Sequence, residues 1–125
     1  LYRFAVLGGK VGDERWVCDA GASQHFSYDS AHMLDFRECE KFMRTASGKR
    51  FPIEGYGDLI LHFRSEGEVV HLKLRNVAYV PHLSHNLMSL RAVADSGGSY
   101  SGDIAGVRIF TKLGRTLFAP SLGKL

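Results

Sequence analysis

Two runs of residues, Asp58 to Arg64 and Glu68 to Leu74, stand on either side of Ser65-Glu66-Gly67. The first contains Leu59-Ile60-Leu61-His62-Phe63, and the second reads Val69-Val70-His71-Leu72-Lys73-Leu74. A period of two places alternate side chains on opposite faces of an extended strand, and a short link containing Gly lets two such strands fold back on each other. On a helix the same apolar residues would be scattered around the axis. The chain must therefore hold an antiparallel hairpin here, and most of the remaining sequence reads the same way.

Arg3 to Leu7 is a short apolar strand, followed by Gly8-Gly9-Lys10-Val11-Gly12 as a turn or linker. Arg15 to Cys18 and Ala22 to Phe26 are strands on either side of a small-residue loop, and Asp29 to Leu34 reads as a turn. Cys39 to Thr45 and Arg50 to Glu54 flank Ala46-Ser47-Gly48-Lys49, a second hairpin. Val77 to Val80 is a short strand stopped by Pro81. Asn86 to Ala94 carries Leu87, Met88, Leu90 and Val93 at the spacing of one buried helical face, ended by Ser96-Gly97-Gly98. Val107 to Thr111 and Arg115 to Phe118 make a last hairpin across Leu113-Gly114. At 125 residues the chain is long enough for one domain with a real core and too short for two similar lobes.

The chemistry-bearing candidate is Trp16-Val17-Cys18-Asp19-Ala20-Gly21-Ala22-Ser23, where an apolar strand runs into a carboxylate and then a turn of very small residues. By itself Asp-x-Gly is common turn chemistry. Two such carboxylates brought together can instead share one proton and activate a water between them.

Three ordered blocks resemble the protease segment of copia-type LTR retrotransposon polyproteins, a branch of the retropepsin family. Trp16, Asp19, Gly21, Ala22, Ser23 and His25 match its opening Trp-x-x-Asp-Ser-Gly-Ala-Ser/Thr-x-His. Ser47-Gly48 and then Pro52-Ile53-Glu54-Gly55-Tyr56-Gly57 match its Asp-Gly and Gly-x-Gly run. The third block, Leu74-Arg75-Asn76-Val77-Ala78-Tyr79-Val80-Pro81-His82-Leu83-Ser84-His85-Asn86-Leu87-Met88-Ser89-Leu90, is the most specific. The resemblance implies an all-β, closed barrel or sandwich with one lobe per chain and one short helix near the C-terminus. It divides the chain into residues 1–15, an N-terminal extension or dimer-interface strand, and residues 16–125, the protease-like domain.

It also implies an aspartic endopeptidase that cuts its own polyprotein as a homodimer. Only one candidate loop is present, so a two-carboxylate site needs Asp19 from each of two chains. Ala20, Gly21, Ala22 and Ser23 would form the active-site loop. Ala46, Ser47, Gly48 and Lys49 would be the flap tip that holds an extended peptide and shields it from water. Leu87 and Met88 would be core beneath the loop. One departure stands at position 20, where the family has Ser or Thr and this chain has Ala. The family hydroxyl is implied to tie the two loops together across the dimer axis, and losing a buried hydrogen bond costs roughly 1 to 3 kcal/mol when its partner is left unpaired. Two rivals follow: a catalytically silent or domesticated protease fold that dimerises or binds peptides, and a small all-β binding module whose Asp19 is only a turn residue.

Sixteen basic and thirteen acidic residues give a formal charge of +3. Lys41, Arg44, Lys49 and Arg50 form the densest cluster. Stacking aromatics are not interleaved with them in the way single-strand binders need, so the cluster reads as a solvated hairpin tip and no nucleic-acid partner is expected. No apolar run approaches the roughly 20 residues that cross a bilayer, so no membrane partner is expected either. Cys18 and Cys39 make no disulfide framework and fit an intracellular, cytoplasmic setting, including virus-like particles. His25, His82, His85 and Cys39 lack the paired spacing of a tetrahedral site, so no metal and no cofactor is expected.

Overall fold

A computed structural model of the protein describes residues 2–6, 14–65 and 67–121. The proposed linker at Gly8 to Gly12 lies outside the described residues. Among the described residues, ten strands and one short helix follow in the order β1 (Tyr2–Val6), β2 (Glu14–Asp19), β3 (Phe26–Ser27), β4 (Leu34–Arg44), β5 (Arg50–Ser65), β6 (Glu68–Tyr79), β7 (Asn86–Ser89), α1 (Leu90–Asp95), β8 (Ser99–Asp103), β9 (Gly106–Phe110) and β10 (Thr116–Pro120). The fold is all-β. Seven strands form a sheet in the order β1-β2-β7-β3-β6-β5-β4, and β10-β9-β8 form a second, smaller one. Among the described residues no helix is long and apolar enough to cross a membrane.

The hairpin expected from alternation is the β5–β6 ladder, with Leu59 opposite Leu74 and Ser65 opposite Glu68. Leu59, Leu61, Phe63, Val70, Leu72 and Leu74 are buried, while Ile60, His71 and Lys73 between them are exposed. These inward residues join Trp16, Cys18, Met88, Leu90 and Val93 with Val107, Ile109, Leu117 and Ala119 of the small sheet in one core. A second cluster gathers Phe26, Ile53, Ala78 and Val80, with Met43, Phe51 and Leu87 packed against it. The β4–β5 hairpin thus turns one face toward the strands around β7.

Several expectations are corrected. The helix expected over Asn86 to Ala94 is confined to Leu90–Asp95, and Leu87 and Met88 belong to strand β7. Met88 faces the main core and Leu87 the second cluster, so this strand is covered on both sides and shows no alternation. A short apolar run of this kind has no distinguishing period.

The strand expected at Val77 to Val80 is instead the end of β6. What splits it in sequence is Asn76, which takes φ +53 beside a register shift between Gly57 and Leu59. The Asn76 N–H donates to Asp58 Oδ1 at 3.0 Å across that irregularity. Asn accepts the left-handed region at lower cost than most side chains. Gly55 and Gly57 are needed for close approach: a Cβ at Gly55 would fall 2.2 Å from Phe36 Cζ, and one at Gly57 2.7 Å from Met33 Cβ. They let β4 start at Leu34 and cross tightly over β5, five residues before the expected Cys39. The last hairpin gains a third strand, β8, whose residues are all exposed.

Candidate functional site

Strand β2 ends on Asp19, and β7 lies parallel beside it with Cys18 opposite Met88 and Asp19 opposite Ser89. On its other side β7 pairs antiparallel with β3 at Phe26 and Leu87. The loop from Ala20 to His25 therefore bridges two strands that are consecutive in sequence but separated by β7 in the sheet. Only Phe26 and Ser27 form a strand after the loop, not the whole of Ala22 to Phe26.

Ser89 fixes this crossing. Its Oγ–H donates to the carbonyl of Ala22 at 2.7 Å, and its N–H donates to His25 Nδ1 at 3.0 Å. The same Oγ accepts the Ala92 N–H at 2.9 Å and so caps α1. One buried hydroxyl joins the loop, the end of β7 and the start of the helix. His25 is 4% exposed, and burial pushes its pKa down from 6.5 to about 4, which keeps Nδ1 available as an acceptor. A second tie lies one turn of chain away, where Asn86 Oδ1 accepts from Ser27 Oγ at 2.8 Å and from the Tyr28 N–H at 3.2 Å. Sequence reasoning assigned no hydrogen-bonding role to His25, Ser89 or Asn86. A Ser directly before the apolar residues of a short helix is an N-cap signal that could have singled out Ser89.

The carboxylate of Asp19 is half-buried and accepts the Gly21 N–H at 2.7 Å through Oδ1, its only side-chain hydrogen bond among the described residues. A Cβ at Gly21 would lie 3.3 Å from that oxygen. Ala20 and Gly21 are exposed, Ala22 is half-buried, and Ser23 is exposed. Cys18, next to Asp19, is fully buried, and burial raises its thiol to about 12, so it stays protonated and packs as an apolar group.

Of the expected flap, the turn is present: the Gly48 N–H donates to Thr45 O at 2.9 Å, and Gly48 takes φ +86. Ala46, Ser47, Gly48 and Lys49 are all exposed. A cleft of about 650 Å³ lies behind the loop, between Ser23, Gln24 and His25, the Leu72 to Asn76 segment of β6, and α1. Neither Asp19 nor the hairpin tip lines it. Among the described residues no three His, Cys, Asp or Glu side chains converge as a metal-binding set.

A strand-end carboxylate on a small-residue loop, braced by a strand from 70 residues later, is a shape that comparison with known families can place. The profile of the family described as Pol polyprotein, beta-barrel domain matches residues 16–98. The chain belongs to this family. The matched segment runs from within β2 to just past α1, and so contains the whole braced loop and both long hairpins. The Pol polyprotein beta-barrel domain is a segment of a retroelement polyprotein. No curated protein matches the chain.

Proposed function

We propose that this Pol beta-barrel domain is the aspartic endopeptidase of its polyprotein, working as a homodimer to which each chain supplies one Asp19. The observation that supports this reading is the braced loop: a carboxylate at the open end of β2, turned by the Gly21 N–H and held from behind by Ser89 and His25. A single carboxylate cannot act as acid and base at once. Two held a few ångströms apart cannot both stay ionised, so one takes the proton of the attacking water while the other donates to the oxyanion that forms on the scissile carbonyl. The pair titrates as a unit. The substrate is an extended segment of the same polyprotein, bound along backbone groups of the β4–β5 tip.

The catalytically silent reading is favoured by one residue. Ala20 is exposed and offers only a methyl group where a hydroxyl would tie the two loops together. The deciding experiment incubates the chain with a polyprotein fragment spanning the junctions on either side of it, with and without a transition-state inhibitor of aspartic peptidases, and follows cleavage by mass spectrometry. Inhibitor-sensitive cuts that vanish in Asp19→Asn, while that variant still dimerises, are the expected result. Cuts that survive Asp19→Asn would overturn the mechanism, and no cutting at high protein concentration from acid to neutral pH would leave a silent peptide-binding fold.

A further inference from the structure

Residues 41–51, the end of the β4–β5 hairpin, hold four basic side chains and no acidic one. The chain has sixteen basic and thirteen acidic residues, so the remainder carries twelve against thirteen, and the net positive charge of the molecule resides in this single hairpin end. The charges are placed at a cost. Arg44 and Arg50 are direct partners across the ladder, and like charges in that position repel. The ion pairs among the described residues, Arg91 with Asp95 and Arg115 with Glu68, lie elsewhere, so neither Arg44 nor Arg50 is in a close ion pair there.

Phe42 and Pro52 are the register partners two residues further along the same face. Phe42 is 60% exposed, and the Arg50 guanidinium carbon stands 4.2 Å over its ring. Lys49 lies 5.2 Å over Phe51 and Lys41 5.5 Å over Tyr56. Lys41 and Arg50 each adjoin a Phe in the sequence, and strand pairing adds the cross-strand contacts of Arg50 with Phe42 and of Lys41 with Tyr56. A cation seated on a ring is held in one place, and a stacked guanidinium keeps its N–H edge free for a phosphate.

We propose that the end of the β4–β5 hairpin binds single-stranded nucleic acid, with Arg44 and Arg50 taking backbone phosphates and Phe42, backed by Arg50, stacking one base. Electrostatics alone would suit any polyanion. The open ring of Phe42 favours a base, whose flat face it can cover, over a carboxylate, which gains nothing from it. It favours a single strand over a duplex, where base faces are already stacked. This site does not depend on Asp19 or on peptidase activity.

Fluorescence anisotropy of the full chain with a labelled oligouridine of about 20 nucleotides, across a salt series, tests it. Binding should weaken with salt with a log–log slope of about −1.4, roughly −0.7 for each of the two phosphates. Arg44→Gln and Arg50→Gln should each flatten the slope by about 0.7, and Phe42→Leu should weaken binding roughly 5- to 150-fold, the range for losing one stacked base. Lys73→Gln, on the exposed face of β6, should change neither. Any one of the following overturns the proposal: no binding, equal loss with Lys73→Gln, no loss with Phe42→Leu, tighter binding of the matching duplex, or displacement by polyglutamate as readily as by unlabelled oligouridine.

Discussion

Acid should loosen the loop that carries Asp19 through His25. The ring is 4% exposed and its pKa is lowered from 6.5 to about 4 by burial, so it folds neutral with Nδ1 accepting the Ser89 N–H at 3.0 Å. Between those two values the unfolded chain binds a proton at this residue and the folded one does not. Stability is therefore complete above pH 6.5 and falls as the pH drops toward 4. A shift of that size corresponds to about 2 kcal/mol lost between pH 7 and pH 5 and about 3 kcal/mol lost by pH 4. When the proton does bind, Nδ1 becomes a donor facing another donor, and the bond to Ser89 is lost. Urea unfolding followed by the fluorescence of the single buried tryptophan, Trp16, measures this directly at a series of pH values. His25→Gln keeps a carbonyl acceptor and removes the titration, so its stability should fall by about 2 kcal/mol less than wild type over the same interval. If His25→Gln loses as much stability as wild type between pH 7 and pH 5, the reasoning is refuted.

Ser89→Ala removes both the helix cap and the donor to Ala22, and should cost about 2 kcal/mol in urea unfolding while speeding hydrogen exchange at the Ala92 amide. Unchanged exchange at Ala92 would show that the cap is not a working bond. Gly55→Ala forces a Cβ against Phe36 and should cost roughly 1 to 3 kcal/mol, more than Gly48→Ala, where φ is +86 but no atom lies within 4 Å. The reverse order of the two melting temperatures would contradict this packing argument. Iodoacetamide at pH 8 should label half-buried Cys39 in the folded chain long before Cys18, whose thiol burial pushes up to about 12. Equal labelling rates by mass spectrometry would mean that Cys18 is not sealed in the core.

Local alternation made the β5–β6 hairpin readable, because one of its faces is core and the other is solvent. The same rule could not find β7, which is covered on both faces, or β8, which is exposed throughout, since neither presents two different environments. Asn76 masked the continuity of β6, because a kinked strand looks like two short ones. Asp19 and its small neighbours could be picked out as chemistry-bearing, since a strand running into Asp-x-Gly has a recognisable local pattern. The brace behind them could not, because the bonds from Ser89 to Ala22 and His25 join residues that only the fold brings together.

That brace also sets a clock. The bonds from Ser89 close loops of 64 and 67 residues, and β7 must slide between two strands made long before it. Contacts so distant in sequence form late, after the entropy of closing the intervening chain has been met. At a synthesis rate of about 5 to 20 residues per second, Asp19 leaves the ribosome roughly 4 to 14 seconds before the segment that steadies it. During that interval the nascent polyprotein carries its candidate carboxylate on an unsupported loop, so the order of synthesis itself delays maturation of the site until the domain is nearly complete.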